Sequence, residues 1–174
     1  MLKQLYDKGY KILAVETLKD SVINRDKIVD YNTGYYTREP LFAEMLRYAL
    51  KIGFTLRTYE SNVPCNNDGK DPNYCNTFRD SVMAQNVKKI IEENPLDKIL
   101  IYAGYDHIHK GNKNGWKKMG EFITKDLGID ALSIDQTVYV EQYFPERENE
   151  KFLAVNNALE LEKPVVALGK DSLF

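Results

Sequence analysis

The sequence predicts a single layered α/β domain, in which a mainly parallel sheet carries helices on both faces (an α/β/α arrangement). Helix-like and strand-like segments alternate along the chain, which is typical of this class. The strand-like segments are nearly continuous apolar runs, as expected for strands that are buried on both faces. The length of 174 residues fits one domain with its own core, so we expect residues 1–174 to fold together.

The first sixty residues contain two helix-like and two strand-like segments. A helix ends at Gly9, and the apolar run 11–16 that follows it predicts a short strand. Residues 21–36 are polar and rich in tyrosine, which predicts a loop. The segment 39–53 starts near a proline, carries an apolar stripe at helical spacing and ends in glycine, so it predicts a helix. The second strand is predicted over 54–60.

After a long loop, the remaining segments continue the alternation. The segment 76–94 has the most regular apolar stripe of the chain, and Asn76 is its expected N-cap. The apolar run 98–104 predicts the third strand. The elements predicted beyond it are a helix over 114–128, a strand over 131–142, an irregular tail from 143 and a last strand over 164–169.

Composition narrows the classes of partner. A net charge of −2 and a pI of about 5.8 give no electrostatic case for binding nucleic acid. No apolar run approaches the roughly 18 residues that a membrane span needs. An amphipathic segment follows Met1 at once, so the chain as given is expected to be cytoplasmic, or exported if an upstream signal was removed. The expected partner is a small-molecule substrate.

The two cysteines, Cys65 and Cys75, lie in one loop with the sequence PCNNDGKDPNYC. Their spacing is not that of a paired zinc motif. The simpler interpretation is two free thiols, and the alternative is a loop disulfide in an exported protein.

Ionisable side chains follow four predicted strands at the points where those strands end. They are Glu16, Glu60, the run Tyr105 to His107, and Asp135. The carboxyl ends of parallel strands meet at one edge of the sheet, where ligands of such folds bind. We therefore expect a site at this edge, with Glu60, Tyr105 and Asp135 contacting substrate.

The chain has two histidines, His107 and His109, and both follow the third strand. Gly104 allows a sharp turn out of that strand, after which His107 projects over the sheet edge. There its imidazole would accept a proton or stabilise an anion. The competing interpretation is a histidine bonded to a loop carbonyl. We expect His109 to point away into solvent.

We expect a site without a cofactor, and a metal site is the alternative. Histidines at positions i and i+2 supply two ligands, and Glu16, Glu60 or Asp135 would have to complete the set around a divalent metal.

Arg79 lies near the start of the predicted helix 76–94, where a cation opposes the helix dipole. It should therefore be either exposed or held by a carboxylate from elsewhere, and Glu16 or Glu60 could reach it. The alternative is a surface arginine paired with Asp80 or Glu44.

Several of these segments together resemble one family. The most specific is the block FRDSVMAQNVKKIIEENPLDKILIYAGYDHI, which resembles the arginine-bearing helix and the following G-x-x-H strand of the erythromycin esterase-like proteins. The stretch LYDKGYKILAVETL is similar to that family's first strand-ending glutamate. The resemblance covers roughly residues 4 to 142. It implies that Glu16, Arg79 and His107 surround a water that is activated for hydrolysis of an ester or a lactone.

One departure from the family pattern is informative. The family begins with a strand and a G-E-x-H motif, and nothing of that kind precedes Glu16 here. We therefore expect an N-terminally truncated chain, or one with a misassigned start, that lacks the family's usual general base and one sheet strand. The parent protein is the expected hydrolase, the activity of this shorter chain stays open, and the exposed sheet edge favours a homodimer. The alternatives are a haem- or metal-binding protein of the ChaN type, which the wider superfamily includes with the TraB/Tiki proteins, and a non-catalytic binding module.

Overall fold

The computed structural model describes residues 1–19, 22–69, 71–111, 115–137, 145–147 and 150–159. Within these residues, three strands form one parallel sheet: β1 (Tyr10–Val15), β2 (Thr55–Thr58) and β3 (Lys98–Tyr102). The strand order is β2-β1-β3, so β1 is central. The mixed α/β class predicted from the sequence is confirmed.

Six α-helices are present in the described part of the chain. They are α1 (Leu2–Asp7), α2 (Ile23–Asp26), α3 (Pro40–Ile52), α4 (Tyr74–Glu93), α5 (Met119–Glu121) and α6 (Glu150–Leu159). Single 3-10 turns occur at Tyr36–Arg38, Tyr105–Ile108 and Pro145–Arg147, and a π-helical turn, Phe122–Asp126, continues α5.

The two faces of the sheet are covered by different helices. In β1, Leu13 and Val15 pack on one face against α3, whereas Ile12 and Ala14 pack on the other face against α4 and α5. All four side chains are buried, which is what the period of two in a strand requires when both faces are covered. The buried stripe of α3 is Ala43, Leu46, Ala49 and Leu50, and that of α4 includes Met83, Ala84, Val87 and Ile90.

The predicted helix limits are correct for α3 and shifted for α4. The Glu39 side chain accepts hydrogen bonds from the backbone of the first turn of α3, and Gly53 ends the helix with φ of 105°. Helix α4 begins at Tyr74, so the expectation that Asn76 caps it is wrong, since Asn76 lies inside the first turn. The earlier start places Cys75 within the helix.

Cys65 and Cys75 form a disulfide, with their Cα atoms 5.7 Å apart. The interpretation as free thiols is therefore corrected in favour of the alternative. The bridge fastens the loop after β2 to the first turn of α4, because Cys75 is the second residue of that helix.

The prediction beyond residue 114 is only partly met. Helix α5 begins at Met119, because Lys118 has an extended backbone with ψ of 158°. Residues 131–137 form no strand. Leu132 and Ile134 are exposed, and the Asp135 carboxylate accepts hydrogen bonds from the backbone and hydroxyl of Thr137. Such local bonds compete with strand pairing. The tail predicted as irregular from 143 contains helix α6 over Glu150–Leu159, which corrects that part of the prediction. Residues 138–144 and the last predicted strand, 164–169, lie outside the described residues.

Candidate functional site

Four of the predicted site residues meet at the carboxyl edge of the sheet. They are Glu16 directly after β1, Glu60 shortly after β2, Arg79 in the second turn of α4, and His107 in the 3-10 turn after β3. The strand order explains the convergence: β1 is central, so Glu16 lies between the ends of the two outer strands.

Arg79 is at the centre of this cluster. Its Nε and Nη2 atoms donate to the two carboxylate oxygens of Glu60 at 2.8 and 2.7 Å, and Nη2 also donates to Glu16 Oε1 at 2.9 Å. The paired bonds to Glu60 have the fork geometry in which guanidinium binds carboxylate most strongly. The structure thus matches the expectation that a carboxylate from elsewhere holds Arg79, and not the surface alternative.

These contacts alter the acidity of both partners. Burial on its own would raise the pKa of Glu60, but the hydrogen bonds and charge of Arg79 outweigh it, so the pKa is lowered. The bonds from Arg79 to Glu60, and next to Glu16, raise the pKa of the guanidinium above its already high value. The pair is therefore charged over the whole physiological range.

Glu16 is the most enclosed of the site carboxylates described so far. Its side chain is 5% exposed, and its Oε2 atom accepts from the backbone N–H of Gly104 at 2.7 Å. The backbone N–H of Glu16 donates to the backbone carbonyl of Tyr102 at 3.2 Å, which extends the pairing of β1 with β3. A Cβ on Gly104 would lie 3.4 Å from Glu16 Oε2 and 3.5 Å from the imidazole, which are ordinary contact distances, and φ is −57°. The turn out of β3 therefore does not depend on glycine, contrary to the expectation from the sequence.

His107 joins two carboxylates and the guanidinium. Its Nδ1 atom lies 2.8 Å from Asp80 Oδ1, and its Nε2 atom lies 3.2 Å from Arg79 Nη1 and 3.6 Å from Glu16 Oε1. Because guanidinium only donates, the Arg79 contact fits a neutral imidazole that accepts at Nε2 and carries its proton on Nδ1. Asp80 Oδ1 forms an ion pair with the imidazole when the ring is protonated.

The environment of His107 favours protonation. Burial alone would lower the pKa of the imidazole, but the contact with Asp80, followed by the charge of Glu16, outweighs both burial and the opposing charge of Arg79. The pKa is therefore raised above its ordinary value of 6.5.

Asp80 is a site residue that the sequence analysis missed. It is fully buried, and its second oxygen accepts from the backbone N–H of Met119 at 2.9 Å. A signal was available: Asp80 precedes Met83 and Val87 by three and seven residues, which places it on the buried stripe of α4. A carboxylate on an apolar stripe indicates an internal partner, and that partner is His107.

Two tyrosines were also missed. Tyr59 is fully buried and donates its hydroxyl to the Tyr102 carbonyl at 2.8 Å; burial, and next the charge of Glu16, raise the pKa of this phenol. Burial and then the charge of Glu16 also raise the pKa of Tyr36. The sequence marked the second tyrosine only as a member of a tyrosine-rich loop, because its approach to Glu16 depends on how that loop folds back.

Three residues singled out in the sequence are not part of the cluster around Arg79. Tyr105 is 52% exposed, at the start of the 3-10 turn that carries His107. Asp135 is not at a strand end, because residues 131–137 form no strand, and its carboxylate caps the turn at Thr137. His109 is half-buried and does not project into solvent as expected. Its carbonyl approaches Gly120, where a Cβ would lie 2.8 Å away.

The residues that converge here suit a metal ion poorly. Among the described residues, no three His, Cys, Asp or Glu side chains are placed to hold a metal ion together. Arg79 occupies the space between the carboxylates, and a bound cation would have to displace its charge. A haem iron would require His107 Nε2, which faces Arg79 and Glu16.

A polar cavity of about 220 Å³ opens beside Glu60. Its lining residues are Arg57, Thr58, Glu60, Asn62, Asn86, Lys89 and Ile90. Asn86 donates to the carbonyls of Tyr59 and Glu60, at 3.1 and 3.2 Å, and so fixes the backbone on which the carboxylate stands.

Comparison with known proteins returned no match to a family model, to a curated protein or to a solved structure. None of the helices described here has both the length and the apolar character of a membrane-spanning segment.

Proposed function

We propose that this protein belongs to a class of hydrolases that cleave an ester or a lactone with an activated water. The observation that carries the proposal is the placement of His107, with Nδ1 against the buried Asp80 and Nε2 directed at Glu16 and Arg79. A carboxylate behind an imidazole, with a fixed cation beside it, is an arrangement suited to proton transfer and to stabilising an oxyanion. The likeness to the erythromycin esterase-like proteins in the same residues supports it.

In this proposal each group has a distinct role. His107 takes the role of the general base that the absent G-E-x-H motif would supply: when bound substrate draws Arg79 Nη1 away from Nε2, that atom accepts a proton from the attacking water, and Asp80 stabilises the imidazolium that forms. Glu16 orients the water, since its carboxylate lies 3.6 Å from Nε2. Arg79, whose side chain is 36% exposed, stabilises the negative charge that develops on the carbonyl oxygen. The leaving alcohol takes the proton back from His107.

The two histidines supply a matched test. Hydrolysis of a panel of p-nitrophenyl esters and of aliphatic lactones should be measured for the chain and for its His107→Ala and His109→Ala variants. Loss of the proton acceptor should lower kcat/KM on the best substrate about 100-fold or more in His107→Ala, whereas His109→Ala should retain most activity. Background rates in the wild type, or equal rates in wild type and His107→Ala, would overturn the proposal.

A non-catalytic binding module is the second candidate, and the hydrogen bonds of Arg79 favour it. Arg79 already donates to Glu60 and Glu16, and such a saturated guanidinium also fits a clamp that only fixes three segments together. Turnover that depends on His107 separates the two functions.

The haem or metal alternative has its own test, which is titration with haem together with elemental analysis of the purified protein. A Soret shift or bound metal would support that alternative.

A further inference from the structure

Four aromatic side chains form a continuous row along the rim of the site. We name it the aromatic ledge and define it as Tyr35, Tyr36, Phe42 and Tyr102. Successive ring centroids lie 5.3, 5.8 and 5.5 Å apart. Tyr35 is 60% exposed, Tyr36 40% and Tyr102 42%. The ledge therefore offers aromatic surface to solvent along the edge where Glu16 and Arg79 lie.

The loop end of the ledge is fixed directly beside Glu16. Leu18 and Gly34 form an antiparallel bridge, and the backbone N–H of Tyr35 donates to the Thr17 carbonyl at 3.4 Å. A Cβ on Gly34 would lie 2.9 Å from that same carbonyl, so only glycine permits the approach. The exposed rings thus stand on a backbone that is bonded to the two residues after Glu16.

The loop is also braced from within. Thr37 is buried, and its hydroxyl accepts from the Gly34 N–H at 3.1 Å and donates to the Gly34 carbonyl at 2.7 Å. Arg38 lies over the rings of Tyr31 and Tyr35, at 4.4 and 5.5 Å from their centroids. The rings are therefore held in place and exposed, although their burial would be favourable.

The other end of the ledge shares a bonding partner with the site. The Tyr102 carbonyl accepts from the backbone N–H of Glu16 at 3.2 Å and from the Tyr59 hydroxyl at 2.8 Å. Burial and then the charge of Glu16 raise the pKa of the Tyr36 phenol. The ledge is thus joined to the charged cluster through the Tyr102 backbone at one end and through the loop bonded to Thr17 at the other.

We propose that the aromatic ledge binds the acyl side of the substrate, and that the substrate is an ester whose acyl group carries an aromatic ring. This inference rests on the hydrolase function proposed above and names its substrate class. A flat ring gains both burial and favourable ring geometry against exposed phenols, and a saturated chain gains only the burial. We place the ring on Tyr36 and Tyr102 and the ester carbonyl on the side of Arg79, because ligand sites combine apolar surface with a few polar groups that fix orientation.

The first test compares two substrates. Hydrolysis of methyl cinnamate and of methyl hexanoate should be measured for the wild type, for Tyr36→Leu and for Tyr48→Leu. Tyr48 is the matched control, since it is a tyrosine of α3 with 42% exposure outside the ledge. The wild type and Tyr48→Leu should prefer the cinnamate, and Tyr36→Leu should lose about fivefold of that preference. An unchanged preference in Tyr36→Leu would overturn the inference.

The second test is independent of turnover. Binding of cinnamamide and of hexanamide should be measured by calorimetry for the same proteins, with Tyr102→Leu as a second ledge variant and circular dichroism to check folding. Cinnamamide should bind more tightly, and both ledge variants should reduce that difference. Equal binding of the two amides by the wild type would overturn the inference. Selective binding without any hydrolysis would uphold the ledge and overturn the hydrolase function.

Discussion

The two faces of the sheet are built from different kinds of buried side chain. Against α3, the buried cluster consists of apolar residues such as Leu13, Leu46 and Phe54. On the side of α4 and α5, the apolar cluster is accompanied by buried charged groups, among them Asp80 and Lys118. A buried charge needs a partner to offset its desolvation. The α4 side therefore has bonds to satisfy that the α3 side lacks, and those bonds lead to the site.

Lys118 illustrates the same difference away from the Arg79 cluster. It is fully buried, its Nζ lies 2.7 Å from the centroid of the Trp116 ring, and it is 3.9 Å from Asp106 Oδ1. Asp106 immediately precedes His107 in the 3-10 turn after β3. The buried charges of the α4 side therefore contact the turn that carries His107 as well as helix α4. We infer that the α3 face supplies the larger apolar core, and that the α4 face places the charged groups of the site.

The largest effect on stability is expected on the apolar face. Leu46→Ala should lower the free energy of unfolding by about 3 kcal/mol, because it removes a fully buried side chain and leaves a cavity. Leu41→Ala is the control in the same helix, since Leu41 is 79% exposed, and it should change stability by less than about 0.5 kcal/mol. Urea unfolding measures both.

The same pair of variants tests whether the faces act separately. The pKa of His107, followed by NMR, should be the same in Leu46→Ala as in the wild type. A changed pKa would show that packing on the α3 face affects the charged groups on the α4 face.

An intermediate effect is expected at Arg79. Arg79→Gln leaves Glu16 and Glu60 without their cation, and loss of a fully buried pair costs about 3–5 kcal/mol. Because Arg79 is partly exposed, we expect a smaller loss of about 2 kcal/mol. The control is Arg57→Gln, which breaks a contact with the exposed Glu93 and should therefore lower the free energy of unfolding clearly less than Arg79→Gln does.

Chemical unfolding compares the two arginine variants directly. Equal losses in both would show that the central pair behaves as an ordinary surface ion pair.

The smallest effect is the dependence of stability on pH through His107. Its pKa is raised in the folded protein, so the charged imidazole stabilises the fold. This contribution is fully present below about pH 6.5, the ordinary value, and is lost as pH rises through the folded pKa. In Asp80→Asn the pKa of His107 should fall, because its main stabilising partner has lost its charge.

NMR titration of the two imidazoles tests this sign. The histidine signals are few, and His109→Ala assigns them. A His107 pKa in Asp80→Asn at or above the wild-type value would contradict the role given to Asp80.

The sequence predicted most of the elements that position the site. Strands β1, β2 and β3 and helix α3 occur where apolar runs and helical stripes place them, because those patterns reflect burial on one or two faces. The segment 131–137 departs from its prediction. An alternation of apolar and polar residues favours a strand, but the Asp135 carboxylate bonds locally to Thr137, and Leu132 is 78% exposed.

The sequence alone did not decide whether Cys65 and Cys75 form a disulfide. Cys65 and Cys75 are ten residues apart, a spacing compatible with both states. Only the position of the first turn of α4 brings them together.

By itself, the sequence determined the alternation of elements and the presence of Glu16, Glu60 and His107 at strand ends, because periodicity and local turn signals are properties of neighbouring residues. The tertiary structure decided which of these groups touch. The order β2-β1-β3 placed Glu16 in the middle, turned Arg79 towards Glu60, and buried Asp80 under His107. Pairings of this kind depend on the packing of segments distant in the chain, which no local pattern records.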